Sequence, residues 1–306
     1  MITYYKRDVK KKEMIEIKGF SKNCWVNAID PDEEEINYLV EKFNLEKDLV
    51  LDGLDIFEIP RFEEEKNSTY VYLRIPTLEI ENEYTGSFLV IISPQALITV
   101  SDKRLDLFNR IFKTKKNFFD NLPTRDLVNI LLILSNKYSY WIRKISKDVK
   151  KDRKNLNVLN EKDILDLSVQ EDILNDYLSS LEPVRNLYNT ISKSKYLKFK
   201  ESEREFISDL IIDLDQTISL CISSLKSISN MRDYYSAILS NNRNQILKVL
   251  TIFTIFLTIP MVLSGIYGMN ITLPFQTHQN AFWFLMGSIG LVWTISLIIL
   301  RKLKII

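Results

Sequence analysis

Hydrophobic and polar positions in the first hundred residues predict strands mixed with short helices. Segments rich in β-branched and aromatic residues, each bounded by proline or polar residues, predict strands at 24–29, 69–75, 87–93 and 96–100. Asp30 and Pro31, followed by three glutamates, predict a helix that Asp30 caps. The first 120 residues are therefore expected to form an α/β domain that ends with a helix at 105–112.

Apolar spacing becomes helical from Thr124 onward. Thr124 is expected to cap a helix that runs toward Lys151, and Pro183 is expected to mark a joint between helices. Residues 121–200 are thus predicted to form a helical region.

The residues that interrupt helices are missing from a long part of the chain. Glycine is absent from 87–264 and proline from 184–259, and these two residues are the strong breakers of a helix interior. A single helix is therefore predicted from about Lys200 to Tyr267, on the order of 100 Å long. Its first part, residues 201–248, is interpreted as a stalk.

The stalk carries a seam of positions that step by three and four residues. Its members are Ile211, Leu214, Ile218, Cys221, Leu225, Ile228, Arg232, Tyr235 and Leu239. Such a seam fits packing between copies, as in a coiled coil, and fits equally well a helix that packs on its own domain. The direct continuation of the seam into an apolar segment favours several copies around an axis.

The distribution of charge predicts two membrane spans. Val249–Leu300 contains 52 residues and no Lys, Arg, Asp or Glu. About 20 residues cross a bilayer core of roughly 30 Å, so we expect spans at 249–267 and 281–300, joined by 268–280. The net charge of +1 gives no electrostatic reason to expect a nucleic-acid partner.

Basic residues set the expected orientation. Arg243 and Lys248 precede the first span, a basic tail (residues 301–306) follows the second, and the connecting loop has no Lys or Arg. The positive-inside rule places both termini in the cytoplasm of a multi-pass protein of the cell inner or plasma membrane. Two distant cysteines, Cys24 and Cys221, are expected to be small buried hydrophobes in a reducing compartment.

One face of the first span has the chemistry of an ion pathway. Its positions are Asn244, Leu247, Leu250, Thr254, Thr258, Met261 and Gly265. Neutral oxygens on this face could hydrogen-bond the water shell that Mg²⁺ gives up reluctantly, and the leucines could form a dewetting gate. Threonine in a membrane helix also commonly bonds its own backbone. Pro260 frees a carbonyl one turn earlier, for neighbouring helices or pore water to satisfy.

The end of this span predicts a selectivity filter. Gly268 is expected to adopt backbone angles that other residues avoid, which would aim Asn270 at the axis. A ring of Asn270 amide oxygens at the outer mouth would then receive a hydrated divalent cation.

Five features of the sequence belong together: Tyr267-Gly268-Met269-Asn270, the preceding Gly265-Ile266, Lys248-Val249-Leu250-Thr251, the two C-terminal spans and the basic tail. In these features the chain resembles the CorA family of magnesium channels. The resemblance implies a funnel-shaped homopentamer with a cytoplasmic α/β domain and a filter of Gly268, Met269 and Asn270. It also implies gating by intracellular Mg²⁺, bound between subunits. The regulatory aspartate of the family falls at Asp209 on ungapped spacing, and its partners would be Glu79, Glu81 or Glu83 of a neighbouring subunit.

The sequence also departs from that family. The outer loop, 271–280, has no acidic residue, so ion capture would depend on Asn270. Thr258 stands where the family usually has Met, and Met261 could compensate. His278 is the only histidine and is interpreted as incidental.

Other functions remain open at this point. A transporter of Zn²⁺ or another transition metal is disfavoured because the spans lack His and Cys, although Co²⁺ and Ni²⁺ could pass as hydrated ions. A membrane-anchored scaffold or sensor without a pore would not need Asn270. The sequence offers no P-loop and no catalytic constellation, so we expect neither a pump nor an enzyme.

Overall fold

The computed structural model describes residues 1–8, 13–80, 83–102, 123–154, 161–271, 273–274 and 279–302. The helix predicted at 105–112 lies outside these residues. The chain forms two compact units, Met1–Met231 and Arg232–Ile306.

The first unit is built on a seven-stranded mixed sheet. Its strands are β1 (Ile2–Asp8), β2 (Glu13–Ile17), β3 (Cys24–Ile29), β4 (Phe62–Glu65), β5 (Ser68–Ile80), β6 (Glu83–Ile92) and β7 (Ala96–Ser101). Their order is β2-β1-β3-β7-β6-β5-β4, and only the β3–β7 pair among them is parallel. The four predicted strands are present, whereas the sequence reading missed β1, β2 and β4.

Helix α1 (Glu33–Phe43) begins two residues later than the predicted cap implied. Asp32 is the N-cap, and it forms a capping box with Glu35: the Glu35 amide donates to the Asp32 carboxylate at 2.8 Å. Asp30 has a φ of 46°. An N-cap needs extended backbone, so the prediction that Asp30 caps this helix was wrong.

Each face of the sheet carries its own hydrophobic core, because successive side chains of a strand point to opposite faces. Cys24 and Val26 pack with α1 and α2 (Lys47–Asp52) on one face. Trp25 packs with the long helices on the other face. The Trp25 indole N–H donates to the Thr99 hydroxyl at 2.8 Å, so its polar atom is satisfied inside the core.

Two long helices cover the second face: α3 (Pro123–Lys154) and α4 (Glu161–Lys193). The Tyr138 and Tyr177 rings meet edge to face between them, with centroids 5.5 Å apart. Pro183 lies inside α4, so the predicted joint was wrong. Fully buried Leu181 and Val184 flank the proline, and this packing keeps α4 continuous where a proline alone would favour a break.

The predicted long helix is present as α5 (Glu201–Tyr267). Its buried positions up to Met231 are Glu203, Ile207, Leu210, Leu214, Thr217, Cys221, Ser224, Ile228 and Met231. The apolar residues among them join the core formed by α3 and α4; for example, the Cys221 thiol donates to the Leu174 carbonyl at 3.3 Å. Arg185 of α4 pairs with Asp215 of α5 at 2.8 Å. Through Met231 the stalk seam therefore packs on its own domain, while Arg232 and Leu239 of the predicted seam are exposed.

Candidate ion pathway

The second unit consists of α5 from Arg232 onward and α6 (Ala281–Lys302). Both helices are long and apolar enough to cross a membrane. Within the most apolar stretch of each helix, 0% of α5 and 11% of α6 is buried. A core helix of a soluble protein would bury most of that surface. These spans expose it instead, as expected for helices that face lipid or other copies of the chain.

Helix α6 covers a single stripe of α5. The half-buried α5 positions within 249–267 are Ile252, Ile255, Phe256, Ile259, Pro260 and Leu263. On α6 the buried and half-buried positions are Ala281, Leu285, Ile289, Trp293, Ser296 and Leu300. The direct contact is between the rings of Phe256 and Trp293, whose centroids are 5.4 Å apart.

The predicted pathway positions lie on the other side of α5. All seven, from Asn244 to Gly265, are exposed in the chain. At about 100° per residue, Thr254 and Thr258 stand roughly 160–200° around the helix from Phe256, and Met261 about 140°. The two spans thus leave this face free for water, lipid or another copy of the chain.

The threonines of this face bond to their own helix. Thr254 donates to the Leu250 carbonyl at 2.9 Å, and Thr258 donates to the Thr254 carbonyl at 2.7 Å. This is the backbone bonding that the sequence left open. A hydroxyl that donates its proton retains lone pairs as acceptors. The water shell of a cation presents hydrogens outward, so these hydroxyls remain suited to contact it.

Pro260 has the predicted effect on the backbone, and the neighbouring span responds to it. The Phe256 carbonyl, which would have accepted from residue 260, accepts from the Trp293 indole N–H at 3.1 Å. Sequence reasoning did not single out Trp293. Its position inside an apolar span could have drawn attention to it. Tryptophan is usual at membrane interfaces, and away from an interface its indole N–H needs a hydrogen-bond partner.

The glycine of the predicted filter stands where a side chain would fit tightly. The Gly268 amide donates to the Ser264 carbonyl at 2.9 Å, and a Cβ on Gly268 would lie 3.1 Å from that oxygen. Among the described residues no glycine has a positive φ, so the expected unusual backbone angles were wrong. Met269 and Asn270 follow directly and are exposed.

One hydrogen bond links the connection between the spans to the end of the first span. The Tyr267 hydroxyl lies 3.4 Å from the Pro274 carbonyl, to which it donates. His278 and the rest of 275–278 lie outside the described residues, as does Thr272.

The predicted regulatory residues are placed only in part. Asp209 is exposed on α5, next to buried Leu210. Glu79 and Glu83 belong to β5 and β6, and Glu81 lies outside the described residues. Within the part of the chain that the structure describes, no three His, Cys, Asp or Glu residues form a metal-binding group.

Comparisons with known proteins agree with one another. The profile of the family described as CorA-like Mg²⁺ transporter protein matches residues 20–302. The chain is 27% identical over 287 residues to the cobalt/magnesium transport protein CorA of Methanocaldococcus jannaschii, covering 91% of this chain and 90% of that protein. It is 19% identical over 299 residues to the magnesium transport protein CorA of Campylobacter jejuni strain RM1221, with coverage of 91% and 90%.

The fold is likewise similar to a solved structure. The complete structure of the CorA magnesium transporter from Methanocaldococcus jannaschii superimposes with a TM-score of 0.84 at 22% identity, covering 99% of this chain and 98% of that one. The α/β domain, the long helix and the terminal helix are therefore a shared architecture.

Proposed function

The chain belongs to the family of CorA-like Mg²⁺ transporter proteins, and from this premise we propose that it forms a passive channel for Mg²⁺ influx. Its family consists of membrane transporters rather than enzymes. The membrane potential would supply the driving force, about 2.3 kcal/mol per elementary charge per 100 mV. The positive-inside rule would place both termini in the cytoplasm and the 268–280 connection outside, where the entering ion would meet it first.

One observation carries the proposal: the face of α5 with the amide and hydroxyl groups is the face that α6 leaves open. In an assembly of identical chains these faces would meet around an axis and line a pathway. The family resemblance suggests five copies. Exposed apolar residues on α5 beyond Met231 support self-association, since Leu239 and Ile246 are 51% and 68% exposed in the single chain.

The cation would keep its water shell along this pathway. Mg²⁺ dehydrates reluctantly, and the proposed pathway offers neutral acceptors in place of carboxylates. Gly268, Met269 and Asn270 would form the filter, and Leu247 and Leu250 the hydrophobic gate. Co²⁺ and Ni²⁺ could pass in the same hydrated form.

Intracellular Mg²⁺ would regulate the channel from the cytoplasmic side. Asp209 points away from the buried face of α5, where a neighbouring chain could approach it. Glu79, Glu81 or Glu83 of that neighbour would complete the site. Mg²⁺ would thus be both the transported ion and the ligand that favours closure.

Zinc transport is the second candidate within the same superfamily. Neither 249–267 nor 281–300 contains His or Cys, the ligands that zinc prefers along with carboxylates. A pore-free scaffold is disfavoured because it would place the exposed amide of Asn270 at the membrane without a use for it.

The test is Mg²⁺ uptake by liposomes that contain the purified full-length chain, with and without Asn270→Ala. We expect the variant to lose at least tenfold in uptake rate, since every copy loses its filter amide. Gln279→Ala is the matched control, because Gln279 is an exposed amide of the same connection and should retain uptake. Equal uptake by Asn270→Ala and the wild type would remove Asn270 from the filter.

A further inference from the structure

Helix α5 runs through Pro260 although proline removes one of its backbone hydrogen bonds. In an α-helix the carbonyl of residue i accepts from the amide of residue i+4, and proline has no amide hydrogen. The carbonyl concerned belongs to Phe256. In a bilayer core, where water does not compensate, such a carbonyl needs another donor.

Trp293 of α6 is placed to be that donor. Its indole nitrogen lies 3.1 Å from the Phe256 oxygen, and its ring packs on the Phe256 ring at a centroid distance of 5.4 Å and an angle of 41°. The indole N–H can only donate, and a main-chain carbonyl can only accept. The pair is therefore complementary in both polarity and shape.

The other tryptophan of this span behaves differently. Trp283 is 72% exposed and lies near the start of α6, where tryptophans commonly face the membrane interface. Trp293 lies ten residues further on, in the stripe of α6 that faces α5. The position of Trp293 is therefore explained by the carbonyl that lacks an amide donor because of Pro260, and not by the membrane surface.

We propose that Trp293 is a positioning residue that replaces the missing amide of residue 260 and fixes the second span against the first at this level. The bond lies on the covered side of α5, so it holds the face with Thr254 and Thr258 turned away from α6. This role of Trp293 does not depend on which ion the protein carries or on the proposed channel function.

A double-mutant cycle separates the hydrogen bond from ring packing. Trp293→Phe keeps an aromatic ring and removes the donor, and Pro260→Ala restores an amide that can donate to Phe256. In mixed micelles we expect Trp293→Phe to lower the folding equilibrium constant of the full-length chain roughly 3- to 20-fold, the range of interhelical hydrogen bonds in membranes. In the Pro260→Ala background the loss should shrink to less than about twofold.

Trp283→Phe is the matched control and should change the constant little in either background. An equal loss from Trp293→Phe in both backgrounds would show that ring packing alone holds the spans together, and would overturn the proposal.

A spectroscopic measurement on the wild type covers the case in which Pro260→Ala fails to fold. The indole resonance of Trp293, assigned by its absence in Trp293→Phe, should exchange with D₂O at least tenfold more slowly than that of Trp283. Exchange as fast as that of Trp283 would contradict a hydrogen bond to Phe256.

Discussion

The packing of the stalk can be tested through the thiol of Cys221. This side chain is fully buried between α5 and α4, where the thiol donates to the Leu174 carbonyl at 3.3 Å. Burial raises the pKa of Cys221 to about 12, because the anion would lose its hydration. Since the thiolate is the reactive form, we predict very slow modification by a water-soluble disulfide reagent.

The magnitude follows from the pKa. At pH 8 an ordinary thiol with a pKa near 8.5 is about one quarter ionised, whereas Cys221 would be about 10⁻⁴ ionised, a difference of roughly 2,400-fold. A more basic thiolate is also a better nucleophile, by about 40-fold over this interval. Ionisation alone therefore predicts labelling about 60-fold slower, and restricted access lowers the rate further.

The assay compares two single-cysteine proteins. Cys24→Ser leaves Cys221 as the only thiol. The control combines Cys24→Ser, Cys221→Ser and Ser223→Cys, which places a thiol at an exposed position two residues along the same helix. Labelling of Cys221 within tenfold of the control would refute the packing of this seam on its own domain.

Two further predictions concern the proposed filter and the proposed regulatory site. Gly268→Ala should reduce Mg²⁺ uptake, because the added Cβ would lie 3.1 Å from the Ser264 carbonyl oxygen and the backbone there must give by a few tenths of an ångström, two residues before Asn270. Gly290→Ala, whose Cβ meets open space, should retain uptake, and equal uptake by the two variants would contradict the spatial argument. Mg²⁺ should protect residues 1–248 against protease less well in Asp209→Ala than in the wild type, whereas Glu205→Ala, at another exposed position of α5, should behave as the wild type; an unchanged Mg²⁺ titration would exclude Asp209 from regulation.

Local sequence signals predicted most of the fold where they agreed with tertiary packing. The β-rich segments and the lack of helix breakers between Pro183 and Pro260 led to the central strands and to α5. The joint predicted at Pro183 was wrong because buried residues on both sides of the proline keep α4 helical through it. The prediction that Asp30 caps α1 was wrong because Asp30 followed by proline is a common sequence signal for a helix start, whereas Asp32 and Glu35 form the capping box.

Sequence spacing could not decide what each helix face touches. The same three-and-four pattern fits a coiled coil and a helix on its own domain, and only the contacts of Cys221 and its neighbours distinguish them. The three-and-four spacing from Asn244 to Gly265 did identify a face of α5 that α6 leaves uncovered. It could not find Trp293, because the partner of the Phe256 carbonyl depends on the approach of a second helix.

The two faces of the first span satisfy their polar groups in opposite ways. On the covered face, the carbonyl freed by Pro260 receives a proton donor from the neighbouring span, so that side can remain dry. On the open face, Thr254 and Thr258 direct their protons into their own helix and leave their lone pairs available outward. Lone pairs that face hydrocarbon gain nothing, whereas lone pairs that face water can accept from it. The open face is therefore the side on which water is expected, and an isolated hairpin in lipid would not provide it. Assembly around a hydrated axis would give those acceptors donors while lipid and α6 cover the remaining surface.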